Sequence, residues 1–137
     1  MQCPFCRPAI EENETIILRN ELCAFIPVWE PIPAGSGMIV PWAHRETVFD
    51  LTPEEWAATC DLLRQVRAHL DDRYGPEGYN VGWNSGAAGG QHVFHAHMHV
   101  IPRYADEPLA GKGLRHWLKQ ESNRRPGDKG KRLKDKG

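Results

Sequence analysis

The stretch HVFHAHMHV, residues 92–100, holds four of the chain's seven histidines. Three of them, His95, His97 and His99, recur at every second position. On an extended strand, side chains alternate between faces. Val93, His95, His97, His99 and Ile101 then share one face. Phe94, Ala96, Met98 and Val100 share the other, which is expected to pack on the core. Same-face neighbours lie about 7 Å apart, which separates His95 from His99 by about 13 Å. Imidazole nitrogen binds a metal at about 2 Å. Two neighbours of the row can share an ion, whereas three on one straight strand cannot easily do so. The row therefore reads as a line of polar groups with different tasks. Packing alone explains it poorly, because aliphatic or aromatic residues fill a strand face at lower desolvation cost.

Imidazole also suits phosphoryl chemistry. A neutral ring can attack phosphorus and form a covalent intermediate. A second ring can hydrogen-bond a phosphate oxygen or protonate a leaving group, because imidazole titrates near neutrality. The row follows NSGAAGG, residues 84–90. Glycines let backbone N–H groups approach an anion closely. Such a loop is a weak signal alone and a stronger one when joined to the histidines.

The elements that must position these groups are legible as patterns. TIILRN and LCAFIPV read as two strands around a turn at Asn20 and Glu21. A Pro/Gly-rich loop, PIPAGSG, leads into a third strand, MIVP. The segment LTPEEWAATCDLLRQVRAHLDDRYG carries the best helix signal. Thr52 is its expected N-cap, Pro53 its first residue and Glu55 the reciprocal capping partner. Trp56, Cys60, Leu63, Val66 and Leu70 are expected to form its apolar stripe, and Gly75 and Pro76 its stop. YNVGWN is a fourth strand, HVFHAHMHVIPR a fifth, and LRHWLKQES a short C-terminal helix. Strands joined by short loops, with a helix on one face, imply an antiparallel α+β domain. A single helix leaves the other sheet face partly uncovered, which permits self-association.

The stretch NSGAAGGQHVFHAHMHVIPR resembles the signature of the histidine-triad (HIT) superfamily of nucleotide hydrolases and transferases, His-φ-His-φ-His-φ-φ with φ apolar. Here it reads His95, Ala96, His97, Met98, His99, Val100, Ile101. LCAFIPVWEPIPAGSGMIVPWAH and DLTPEEWAATCDLLRQV are similar to the family's N-terminal half and helix, so the resemblance covers nearly everything from Cys3 to Arg103. It implies a HIT-like five-stranded antiparallel sheet with one long helix and a short C-terminal helix. It implies His97 as the nucleophile that forms a nucleotidyl-histidine, and His99 as phosphate ligand and aid to the leaving group. It assigns Asn84 and the backbone near Gly90 to phosphate oxygens, and Gln91 to loop contact or support. His92 stands where relatives often carry a small hydroxyl residue that contacts phosphate. Relatives commonly bind ribose through an acidic residue near the end of the second strand, where this chain has Pro27 or Val28, with Glu30 offset. Trp29 is a candidate to stack on a base or to anchor the loop.

The pair in CPFC, Cys3 and Cys6, has spacing suited to zinc or to redox chemistry. Zinc needs two more ligands. The resemblance supplies His44, in PWAH, and His95, which completes a closed Cys₂His₂ set of structural type. That leaves His97 and His99 for catalysis, with no catalytic cofactor expected. The resemblance also implies a homodimer that joins two sheets, and a C-terminal segment whose His116 and Trp117 reach a neighbouring active site. The expected substrates are dinucleoside polyphosphates or nucleoside phosphoramidates. Two other readings use the same residues. One is a metal-dependent hydrolase built on a His-x-His pair, which needs an added His, Asp or Glu. The other is a nucleotide-binding protein without turnover, which does not need the nucleophile.

Composition bounds these readings. A chain of 137 residues fits one domain with a single core. Its 40% hydrophobic and 26% charged content is ordinary for a globular protein. No apolar run is long enough to cross a bilayer, and no signal-peptide pattern opens the chain. The expected location is the cytoplasm, where the four cysteines should not form structural disulfides. Cys23 and Cys60 lie in apolar patterns and are expected to be buried. The expected organisation is a HIT domain over residues 1–120 and a basic, disordered tail over residues 121–137. Residues 124–137 carry seven Lys or Arg against two Asp, and Leu133 is their one large apolar residue. Such a segment buries too little surface to offset its ordering entropy. The body shows no basic stripe with interleaved aromatics, so no specific nucleic-acid partner is expected.

Overall fold

The computed structural model describes residues 3–128. Five antiparallel strands form one sheet: β1 (Leu18–Arg19), β2 (Cys23–Pro27), β3 (Gly37–Pro41), β4 (Gly78–Trp83) and β5 (Met98–Arg103), in the order β1-β2-β3-β5-β4. Two helices pack on it, α1 (Arg7–Asn13) and α2 (Pro53–Tyr74).

The long helix starts and stops where local chemistry dictates. The Thr52 side chain accepts from the Glu55 N–H, and the Glu55 carboxylate accepts from the Thr52 N–H. Two otherwise unpaired donors of the first turn are thereby satisfied. Gly75 ends the helix in the left-handed conformation, at φ 60°, which glycine adopts without a Cβ penalty.

The apolar stripe of α2 differs from the expected one in its first half. Glu55, Thr59, Leu62, Val66 and Leu70 face inward. Trp56 is half exposed, and Cys60 is exposed rather than buried. Glu55 is drawn inward by its cap and by Arg45, and this turns Trp56 toward Trp83 at the sheet edge, with ring centroids 5.9 Å apart. Cys23 is buried as expected, and burial pushes its thiol up to about 11.

The α2 face of the sheet packs Cys23, Phe25, Ile39, Met98 and Val100 against Leu62, Val66 and Leu70. Each fully buried large side chain contributes about 2 kcal/mol. The opposite face is not left bare over β2 and β3. Helix α1, with Ile10 fully buried, covers Ala24, Ile26, Met38, Val40 and Trp42. The seven-residue α1 is too short to be stable alone, and tertiary packing of Ile10 holds it. CPFC runs directly into this helix, with Cys6 as N-cap. The helix precedes β1 and belongs to no βαβ crossover, the setting a thioredoxin-like motif needs.

Two further elements differ from expectation. The fifth strand begins at Met98, not at His92, so His95 and His97 sit on an irregular segment before it. There the Ala96 N–H donates to the Arg45 carbonyl at 2.6 Å, outside any ladder. Residues 114–119 form hydrogen-bonded turns rather than a helix, followed by a 3-10 turn at Glu121–Asn123. Residues 121–128 are exposed; the expected disorder of residues 129–137 lies outside the described residues. No described helix is long and apolar enough to cross a membrane.

Candidate active site and metal group

The three histidines separate into two environments because the backbone bends before β5. His95 is fully buried. Its Nε2 lies 2.8 Å from the Pro41 carbonyl. A carbonyl only accepts, so Nε2 carries the proton and Nδ1 keeps its lone pair. That Nδ1 faces Cys3 Sγ at 3.4 Å and Cys6 Sγ at 3.7 Å. His44 brings Nδ1 to 3.4 Å from Cys6 Sγ. One ligand atom from each of Cys3, Cys6, His44 and His95 falls within 4.8 Å of the others, a group able to hold a metal ion. Burial holds the His95 imidazole below its ordinary pKa, which keeps it neutral as a ligand must be. Burial, followed by the neighbouring Cys3 thiol, pushes the Cys6 thiol up.

His97 is not part of this group. Its Nδ1 lies 2.8 Å from the His95 carbonyl. By the same reasoning Nδ1 donates, and the lone pair sits on Nε2. The His97 and His99 rings are 5.0 Å apart. On its other flank, His97 meets the ring of Phe5 edge-on, also at 5.0 Å. Burial, and then proximity to His97, lower the pKa of His99. Among the described residues, no group of three or more metal-type ligands includes His97 or His99.

His99 points from β5 into a cleft of 510 Å³, whose lining includes Asn84, Trp83, Gly89 and Ile101. The cleft opens over β4 and β5 on the sheet face opposite α2. Asn84 and the glycine loop are thus brought beside His99. Gly86 and Gly90 adopt φ values of 79° and 95°, which favour glycine. A Cβ on Gly90 would stand 3.6 Å from the Asn84 amide nitrogen. Gln91 is buried, and its amide bonds three backbone partners. Its oxygen accepts from the Gly86 N–H at 2.8 Å, and its nitrogen donates to Glu46 at 2.6 Å and Val93 at 3.0 Å. Of the two roles expected for Gln91, this bonding is that of loop support. His92 is exposed and is not part of the cleft lining. Pro27 ends β2 opposite Gly37, and Glu30 is exposed. Trp29 is 96% exposed and touches no core. His116 and Trp117 pack on each other at 4.4 Å.

Sequence reasoning missed several neighbours of the site. Phe5 carried a readable signal, since it lies between the two cysteines. Leu114 and Leu118, which also line the cleft, had only the weak signal of apolar residues in a polar segment.

Comparison with known proteins agrees with this geometry. The family model described as HIT domain matches residues 9–106. An adenylylsulfatase, HINT3, from Arabidopsis thaliana is 32% identical over 120 residues, covering 85% of this chain and 61% of that protein. An adenosine 5'-monophosphoramidase from Schizosaccharomyces pombe is 30% identical over 119 residues, covering 82% of this chain and 83% of that protein. The crystal structure of a Zn-bound histidine triad family protein from Mycobacterium smegmatis superposes with a TM-score of 0.69 at 26% identity, covering 80% of each chain. This chain belongs to the HIT family. It spans about three fifths of the Arabidopsis protein's length.

Proposed function

We propose that this chain hydrolyses a nucleotide phosphoanhydride or phosphoramidate through a nucleotidyl intermediate on His97. The observation that carries the reading is the 2.8 Å hydrogen bond from His97 Nδ1 to the His95 carbonyl, which leaves Nε2 free to attack. In the first step Nε2 forms a bond to the phosphorus of the nucleotidyl group. The bond from that phosphorus to the leaving group breaks, and the leaving group departs with its electron pair and takes up a proton. His99, beside His97 and facing the cleft, binds the phosphate and assists that departure. In the second step water attacks the same phosphorus, the bond to Nε2 breaks, and a nucleoside monophosphate leaves. Asn84 and the loop backbone near Gly90 hold phosphate oxygens, Gln91 fixes the loop, and His92 is a further candidate contact from it. The names of the Arabidopsis and S. pombe relatives support the substrate class.

Zinc is the proposed occupant of the group formed by Cys3, Cys6, His44 and His95. A tetrahedral zinc with bonds of about 2.3 Å to sulfur and about 2.1 Å to nitrogen puts such ligands about 3.6 Å apart. The sulfur–nitrogen distances of 3.4, 3.4 and 3.7 Å fit that figure. When bound, the ion supplies structure: it ties the start of the chain to the segment that carries the nucleophile.

The proposed assembly is a homodimer through the β4 edge and the adjoining face of α2. β4 ends the sheet order, and Val81, Trp56 and Tyr79 offer apolar surface there. The proposed organisation keeps a HIT domain over residues 1–120 and a basic tail over 121–137. A cytoplasmic location is proposed from the four free thiols.

The test is covalent trapping. The protein is mixed separately with an adenosine phosphoramidate and with diadenosine tetraphosphate, quenched under mildly basic conditions, and mapped by mass spectrometry. An adenylyl group on His97 is expected. Turnover with the adduct on a different residue overturns the assignment.

A further inference from the structure

We infer that Arg45 and Glu55 are positioning residues for the proposed reaction. Their ion pair anchors residues 44–46 to helix α2, and the backbone of that segment holds both the nucleophile segment and the glycine loop. The inference rests on the proposed reaction and deepens it, because it names what keeps His97 and the phosphate loop in register.

Three successive residues reach three parts of the site. His44 brings its ring to Cys6 and so to the candidate metal group. The Arg45 carbonyl accepts from the N–H of Ala96, the residue between His95 and His97, at 2.6 Å. The Glu46 carbonyl accepts from Gln91 Nε2 at 2.6 Å, and Gln91 Oε1 accepts from the Gly86 N–H at 2.8 Å. The sheet does not do this work, since the pairing of β5 with β3 and β4 begins only at Met98. A displacement of residues 45 and 46 therefore moves the proposed nucleophile and the glycine loop together.

Packing does not hold this segment in place. Ala43, His44 and Glu46 are exposed, and Arg45 is half-buried. His44 ties the segment to the candidate metal group, and Arg45 ties it to α2. The Arg45 Nε donates to both oxygens of Glu55, at 2.9 and 3.1 Å. Glu55 is a fixed acceptor. It is 4% exposed, stands in the first turn of α2 and also accepts from the Thr52 N–H at 2.8 Å. The positive end of the helix favours its charge, and a bond between two ionised groups is about twice as strong as a neutral one. One backbone carbonyl then carries this anchor to the residue beside His97. A misplacement of about 1 Å at a reacting group can cost about 10²-fold in rate.

The experiment compares the full-length parent with Arg45→Met and with the double variant Arg45→Met/Glu55→Gln, at a temperature where circular dichroism shows all three folded. An adenosine 5'-phosphoramidate gives the single-turnover rate of adenylyl transfer to His97, and AMP gives the nucleotide affinity. Melting temperature and bound zinc are measured on the same samples. Arg45→Met is expected to slow adenylyl transfer by about tenfold or more while AMP affinity stays within about threefold of the parent. The double variant separates positioning from stability. It removes the unpaired buried carboxylate that Arg45→Met leaves behind, so its melting temperature is expected to rise above that of the single variant. Its transfer rate is expected to stay low, because the anchor is still missing. A rate that recovers with the melting temperature, a rate unchanged in both variants, or an AMP affinity that falls as far as the rate overturns the positioning role and leaves the proposed reaction standing. A rate that falls only in proportion to lost zinc assigns the effect to His44 and overturns it equally. A parent that forms no adenylyl-His97 overturns both.

Discussion

The carbonyl of His95 accepts the Nδ1 proton of His97 at 2.8 Å, while the His95 ring faces Cys3 and Cys6. One residue therefore joins the candidate metal group by its side chain and orients the proposed nucleophile by its backbone. Any change that moves the His95 main chain is transmitted to the tautomer and direction of His97. Removing the proposed nucleophile, His97, is expected to abolish the chemistry with little cost to the fold. His97→Ala should lower turnover by about 10³-fold or more, with the circular dichroism spectrum and nucleotide affinity retained. Unchanged turnover sinks the covalent mechanism. Retained binding with no turnover to lose in the parent protein favours a binding role instead.

The metal group makes a prediction about thiols. Cys60 is exposed, Cys23 is buried with its thiol raised to about 11, and Cys3 and Cys6 belong to the candidate site. Untagged protein should hold about one zinc ion per chain. With the ion bound, Cys60 should be the thiol that reacts readily with an aromatic disulfide reagent. After chelation, Cys3 and Cys6 should join it, and the melting temperature should fall. Metal analysis that finds no ion, together with Cys3 and Cys6 reacting from the outset, rejects the site.

Glu55 links helix α2 to the same region, because its carboxylate accepts from the Thr52 N–H at 2.8 Å and from Arg45 Nε at 2.9 Å. Arg45 follows His44, and its carbonyl accepts from the Ala96 N–H between His95 and His97. Burial opposes ionisation of Glu55, but the bonds from Arg45 and Thr52 outweigh it and hold the carboxyl below its usual range. A carboxyl lowered by folding stabilises the native state above its unfolded pKa of about 4.3 and loses that contribution as pH falls through the lowered value. Glu55→Gln should therefore reduce the melting temperature at neutral pH and flatten its decline between about pH 5 and pH 3. Parallel curves for parent and variant across that range would falsify the linkage.

The fold and much of the site could be read before any coordinates, and the failures have physical causes. The period-two and helical patterns located five strands and α2, since residues such as Phe25, Ile39, Val66 and Leu70 must be buried by one face. Thr52, Pro53, Glu55 and Gly75 marked the helix ends because capping is local chemistry. Cys60 and Trp56 were misplaced because the tertiary ion pair at Glu55 rotates the buried face. The irregular path through His95 was hidden by an alternation that a strand would also produce. Its cause is remote: Pro41, Arg45 and the two cysteines draw off the bonding groups of the segment. Helix α1 and the segment 104–112 after β5 gave weak signals because each is held by tertiary contacts, Ile10 for one and Arg103 for the other.

The edge strand carries the last prediction. β4 pairs with β5 on one side and ends the sheet on the other, so its outer N–H and C=O groups can pair with a second copy. Val81 is 37% exposed beside Leu63 and Tyr79, and Arg64 and Arg67 flank it. Val81→Arg adds a like charge next to those arginines and, in a symmetric pair, opposes each new charge to its twin. Light scattering should report twice the chain mass for the parent and the single chain mass for the variant. A parent that runs as a monomer at micromolar concentration rejects the dimer.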